Sequence, residues 1–381
     1  MKKICFVTGT RADYGILAPI MKIIEESPKG SLQIIATNMH LSDRYGMTVE
    51  EIEADGFTVD ERIESLVEGG DAEATVLSMA KLQQGLSKAY EELKPDMVVV
   101  LGDRYEALSA ASAAVVFNIP VAHLHGGETT EGAIDDKFRH AITQLSTLHF
   151  AATPQYMERI ISMGIHPSRV FHSGAPGATG RELHFSPEDP ESEFTAKTGL
   201  TSSDPFILLA FHPVTLLPDK GEKELEATLE ALDTFINQGY KVLATLPNSD
   251  PGTDVVTDMI TRWASAHPGM VVAVKSLGAA LFHYALEIAL AMVGNSSAAL
   301  IEAPTHRLGA VNVGIRQKGR AHGPTVLDVP PVKERIVMAI EAALSMEMKA
   351  VLLGMTVTAL NPYFKPGAAE FIAGKLLNYK P

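Results

Sequence analysis

Short apolar runs alternate with helix-period segments along almost the whole chain, and this rhythm limits the fold more than any other feature. The first series of runs is Ile4–Thr8, Leu32–Thr37, Met97–Leu101, Val121–His125, Phe150–Ala152 and Val170–His172. Between them lie amphipathic stretches. Ile16, Leu17, Ile20, Met21 and Ile24 share one helical face, and Val76, Met79, Leu82 and Leu86 share another. This β-α-β-α order predicts a parallel sheet covered by helices on both faces.

After Gly174 the pattern loosens into Pro, Gly, Ser and charge, so Ala175 to Asp204 reads as an interdomain connection. A second series follows: Phe206–Phe211, Lys241–Leu246, Val271–Val274, Leu290–Val293 and Val311–Val313, with helical segments such as Glu222–Ile236 between them. Pro362 and Pro366 bracket a turn, and Ala368–Leu377 reads as a final helix. At 381 residues the chain is long enough for two cores. The expected fold class is α/β, with two Rossmann-like domains facing a cleft. The expected boundaries are 1–174, 175–365 and a terminal segment 366–381.

Charge narrows the function. With 32 basic against 46 acidic residues the net charge is −14, which argues against nucleic acid or an anionic membrane as a partner. Cys5 is the only cysteine, so neither an internal disulfide nor a cysteine zinc cluster is expected. No stretch has the apolar length of a membrane span, and the opening MKKICFV stops too soon for a signal peptide; a cytoplasmic protein is expected.

Titratable groups concentrate at strand ends, where open α/β sheets bind ligands. The segment Ala122 to Ile142 holds three histidines and a cluster of carboxylates around Gly126-Gly127. Glu128 follows one strand, Asp135 and Asp136 follow within a turn or short helix, and Asp103 ends the preceding strand. Paired carboxylates suit proton removal and return, although Asp103 fits helix capping equally well. His123 and His125 read as structural, and no compact ligand set supports a metal.

The first βα junction, Thr8-Gly9-Thr10-Arg11, is not GxGxxG, so no dinucleotide cofactor is expected. Arg11 there suits an anion at a helix start. In the second half His212 stands at a strand tip. Gly294-Asn295-Ser296-Ser297 offers hydroxyls and N–H groups to a diphosphate, with Glu302 expected about one and a half turns into the following helix for a ribose diol. Arg316, Lys318 and Arg320 supply local positive potential in an acidic chain.

These motifs, in this order, resemble the hydrolysing UDP-N-acetylglucosamine 2-epimerases of sialic-acid biosynthesis. The likeness rests on TGTRADYG at Thr8–Gly15, NMHLS at Asn38–Ser42, LGDRYEAL at Leu101–Leu108 and HGGETTEGAIDDKFRHAI at His125–Ile142. It continues in FHPVT at Phe211–Thr215, GNSSAALIEAP at Gly294–Pro304, NVGIRQKGR at Asn312–Arg320 and NPYFKPGAA at Asn361–Ala369. The resemblance implies a B-type glycosyltransferase fold whose C-terminal helix crosses back to the first domain. It implies Asp103, Glu128 and Asp135 as acid/base groups, and His212 near the leaving diphosphate. It implies Arg11, His40, Arg104, Asp136, Ser296, Ser297, Glu302 and Arg316 as contacts to the UDP-sugar. The implied reaction gives N-acetylmannosamine and UDP through a glycal, with no cofactor and with a homodimer or homotetramer as the working form. The rivals are a UDP-2,4-diacetamido-2,4,6-trideoxyhexose as substrate, a retaining UDP-sugar glycosyltransferase, and a non-enzymatic UDP-sugar sensor.

Overall fold

The computed structural model describes residues 1–69, 71–179 and 188–380. Among the described residues thirteen strands form two sheets. The first contains β1 (Lys2–Thr8), β2 (Gly30–Thr37), β3 (Glu61–Ile63), β4 (Met97–Leu101), β5 (Val121–Leu124), β6 (Leu148–Ala151) and β7 (Val170–His172). The second contains β8 (Phe206–Ala210), β9 (Lys241–Thr245), β10 (Val271–Val274), β11 (Ala291–Gly294), β12 (Ala310–Val313) and β13 (Val326–Val329). The expected strand runs match these within a few residues at each end. The edge strands β3 and β13 lie outside the expected set, because Glu61-Arg62 and Asp328 break the apolar signal that marks buried strands.

Both sheets are parallel throughout, and their orders correspond: β3-β2-β1-β4-β5-β6-β7 and β10-β9-β8-β11-β12-β13. In each, the first strand of its series is flanked by the second on one side and the fourth on the other. That reversal is the switch point where α/β sheets bind ligands beyond the strand ends. Topology therefore points to the ends of β1 and β4 in the first sheet, and of β8 and β11 in the second.

The chain divides into two compact units. The first comprises Met1–Glu128, Ile134–Thr179 and Lys365–Pro381, and the second comprises Thr129–Ala133 and Gly180–Phe364. The short piece Thr129–Ala133 had been expected wholly with the first half. It belongs to the second unit through the Glu131 N–H bond to Lys318 O (3.2 Å) and the Glu131–Lys318 ion pair (2.9 Å).

In the first unit, Cys5, Val7, Ile35, Val98 and Val100 pack with Leu82, Leu86, Ala110 and Ala114. The helix Ala72–Leu93 turns a different face inward than its pattern suggested. Ala74, Ser78, Leu82, Leu86, Ala89 and Tyr90 are buried, and Val76 is 63% exposed. The helix Ala368–Asn378 packs against the helix Arg11–Glu26, and Lys2 Nζ ties its end through Leu376 O (3.0 Å) and Tyr379 O (2.7 Å). This is the expected return of the C-terminal helix to the first domain.

In the second unit, Ile207, Leu209, Val242, Val293 and Val311 form a core with Leu225, Leu232, Ile336 and Ile340. The expected connection through Ala175 to Asp204 contains a helix, Pro190–Thr198, capped by Asp189 and anchored by buried Phe194; residues 180–187 lie outside the described residues. Asp189 accepting from Ser192 N–H is the start signal that charge and proline had obscured. No helix among the described residues is long and apolar enough to cross a membrane.

Candidate active site

At the end of β1 the chain enters its first helix through a locked turn. Thr10 caps the helix by accepting from Asp13 N–H, and the Asp13 carboxylate takes the Gly9 N–H (2.9 Å). Arg11 is the first helical residue, and burial lowers its guanidinium pKa to about 10. His40 is fully buried, with Nε2 3.0 Å from Thr8 Oγ1 and Nδ1 2.8 Å from Thr48 Oγ1. Both ring nitrogens are thus occupied and burial lowers its pKa, so His40 braces β1 instead of presenting itself to a ligand.

At the end of β4, Asp103 does not cap the next helix. The cap position falls on Arg104, whose side chain pairs with buried Glu106 (Nη2 to Oε1 3.1 Å). Glu106 also accepts from Asn38, and its pKa is raised by burial. Asp103 instead receives a hydrogen bond from Arg139. The backbone beneath it is held by His123, whose Nε2–H donates to Gly102 O (2.7 Å); burial drives the His123 pKa down to about 3, so this ring is neutral.

Arg139 is the residue that sequence reading missed. It lies in the helix Asp135–Leu145, is 1% exposed, and binds Asp103 while its Nη1 stands 3.9 Å from Glu128 Oε2. One guanidinium thus joins the carboxylates at the ends of β4 and β5. Asp135 precedes Arg139 by four residues, which places both on one face of that helix. The available signal was an arginine at helical spacing behind two acids. Asp136 turns to His140 (3.6 Å).

Glu128 itself is fully buried, and its Oε1 accepts from His125 Nδ1–H at 2.6 Å. The Gly-Gly break before it is steric in origin. Gly127 has φ +74°, and a Cβ there would meet Tyr156 O at 2.6 Å.

The second unit presents its own strand-end cluster. Asn295, at the end of β11, accepts His212 N–H through Oδ1 (2.7 Å) and donates Nδ2–H to His212 O (2.9 Å). Its carbonyl accepts from Gln317 (2.8 Å) and Arg316 (3.3 Å). Asn295 therefore clips the tips of β8 and β11 to the loop that carries Arg316. Gly294 permits this approach, since a Cβ there would strike Ala210 O.

Ser296 Oγ accepts from Ala298 N–H (3.3 Å), but the helix that follows is a single turn, Ala298–Ile301. Glu302 thus stands at the break between that turn and the 3-10 segment Ala303–His306, not inside a long helix. Pro304 is the physical reason, as its ring prevents the helix from continuing. Of the three loop cations, Lys318 pairs with Glu131 and Arg320 donates to Gln317, leaving Arg316 as the one beside the strand tips.

Among the described residues no group of three or more His, Cys, Asp or Glu is placed to hold a metal ion. Two strand-end clusters, one acidic and one polar, therefore define the chemistry. The sequence model of the UDP-N-acetylglucosamine 2-epimerase family matches residues 22–377. The chain belongs to that family.

A hydrolysing GDP/UDP-N,N'-diacetylbacillosamine 2-epimerase from Campylobacter jejuni is 36% identical over 86% of this chain and 84% of its own. The polysialic acid biosynthesis protein P7 from Escherichia coli is 32% identical over 100% of this chain and 97% of its own. The structure of UDP-GlcNAc 2-epimerase from Neisseria meningitidis bound to UDP-GlcNAc superposes with a TM-score of 0.79 at 18% identity, covering 99% of this chain and 100% of that one. The fold is that of the epimerase structures, the B-type glycosyltransferase arrangement expected for this family.

Proposed function

We propose that this epimerase-family chain hydrolyses UDP-N-acetylglucosamine to N-acetylmannosamine and UDP. The observation that carries the reading is the buried Arg139 joining Asp103 and Glu128 at the ends of adjacent strands, one turn from Asp135. A base removes the proton on C2 of the sugar, the freed pair forms the C1=C2 bond, and the C1–O bond breaks with its electrons on the diphosphate. Water then adds to C1 while C2 regains a proton on the opposite face. The two steps balance without oxidant or reductant.

In this reading Asp103, Glu128 and Asp135 form the acid/base cluster that serves the proton transfers. His212, Ser296, Ser297 and Arg316 receive the diphosphate, where fixed N–H dipoles and a cation stabilise charge as it develops. Arg11, Arg104, Asp136 and Glu302 complete the nucleotide-sugar contacts. The working form is a homodimer or homotetramer in the cytoplasm, testable by light scattering.

A second substrate, a UDP-2,4-diacetamido-2,4,6-trideoxyhexose, is favoured by the Campylobacter relative, which is named for a diacetamido sugar. The deciding experiment incubates the protein with each nucleotide sugar in deuterated water and reads products by NMR. UDP and a 2-epimeric amino sugar carrying deuterium at C2 are expected. Release of neither from either substrate would sink the proposal.

A further inference from the structure

We propose that His125 is a proton-transfer residue of this reaction, with Glu128 orienting the ring and Nε2 as the atom that takes the proton; the proposal rests on the epimerase reading above. Its first support is the backbone. His125 has φ +62°, a left-handed conformation uncommon for a residue that carries a side chain. The chain uses glycine at the next two positions but keeps an imidazole here. Strain of this kind gathers at functional sites.

The second support is the hydrogen-bond pattern. A carboxylate only accepts, so the 2.6 Å contact to Glu128 fixes the proton on Nδ1 and leaves Nε2 as the basic nitrogen. Glu128 cannot reorient freely, since its other oxygen faces the Arg139 guanidinium at 3.9 Å. Nε2 is buried and has no hydrogen-bond partner. An orphaned ring nitrogen in a polar cluster is costly unless a ligand meets it.

The third support is desolvation. The His125 side chain is 8% exposed and that of Glu128 0%. A carbon acid beside an acetamido group is weak, and its base must be held close and dry. In the step itself the C2 proton passes to Nε2, the C2–H pair becomes the C1=C2 bond, and the diphosphate leaves with the C1–O pair. The imidazolium charge is balanced by Glu128. Once UDP has left, the ring returns its proton to water.

His125→Asn and His125→Gly test this, because both residues tolerate the left-handed backbone. Both variants are expected to bind UDP as wild type does and to lose roughly 10²–10⁴ in kcat. Added imidazole should restore part of the activity of His125→Gly and none of His125→Asn. Wild-type kcat in either variant, or a folded, UDP-binding His125→Gly that imidazole does not rescue, would overturn the proposal. Nitrogen-15 NMR of the wild-type chain gives a readout without turnover: the Nδ1–H tautomer is expected, and the Nε2–H tautomer would also overturn it. A wild-type chain inert on both nucleotide sugars would instead refute the proposed function.

Discussion

Replacing Arg139 with methionine isolates the energetic centre of the acidic cluster. The guanidinium is 1% exposed, and Glu128 is 0% exposed, with the His125 ring 2.6 Å from its Oε1. Removing one partner of a buried ion pair leaves an uncompensated charge and costs roughly 3–5 kcal/mol. The Asp103 side chain is 22% exposed, so water recovers most of what it loses and adds little to the cost. The penalty depends on pH. Without Arg139 the buried Glu128 carboxyl binds its proton more tightly folded than unfolded, so the variant loses stability as pH rises through that titration. Urea unfolding by far-UV circular dichroism at pH 5 and pH 8 measures this. The single tryptophan, Trp263, lies in the second unit, and its emission follows that unit separately. Adding Glu128→Gln to Arg139→Met should recover most of the loss at pH 8. A loss below about 1 kcal/mol at pH 8, or strictly additive single and double variants, would refute the reasoning.

Three further outcomes follow from the same geometry. Burial pushes the Glu224 carboxyl up to about 7, so the folded chain holds an extra proton between the unfolded value and neutrality and loses stability as pH rises through that window. Glu224→Gln should therefore gain about 1–2 kcal/mol at pH 8 and almost nothing at pH 5 in Trp263-monitored unfolding; equal differences at both pH values would remove the cause. Burial holds the His149 pKa down at about 4, so the unfolded chain takes up a proton first as pH falls below the ordinary histidine value. His149→Gln should flatten that acid loss by about 2 kcal/mol at pH 4.5, and an unchanged acid limb would argue against it. Asn295→Ala removes the two hydrogen bonds that Asn295 makes to the His212 amide and carbonyl. It should destabilise the second unit by about 2–4 kcal/mol and weaken UDP binding by calorimetry, whereas unchanged UDP affinity would separate this clip from the nucleotide site.

Much of the architecture was written locally. The run Met97–Leu101 matches its strand residue for residue, because buried parallel strands need unbroken apolar side chains. The edge strands β3 and β13 escaped because one side of an edge meets solvent and admits charge. Val76 was misplaced for a related reason. Its helix buries a stripe of small residues beginning at Ala74 and Ser78, which hydrophobicity alone does not mark. Glu302 was set too deep in a helix because local propensity did not weigh Pro304 enough.

The sequence by itself determined two wound α/β halves and placed acids, histidines and small polar residues at strand ends, since period and turn chemistry are local properties. It could not decide which of those groups meet. Strand order did that, by setting β4 beside β5 and β8 beside β11. Only then does Arg139, a helix residue four positions after Asp135, lie between Asp103 and Glu128. Only then does Asn295 reach His212, 83 positions away. His125 reads as scaffolding from its place at the end of a strand. Its left-handed backbone and its grip on a buried carboxylate arise from packing, and no pattern of residues along the chain records them.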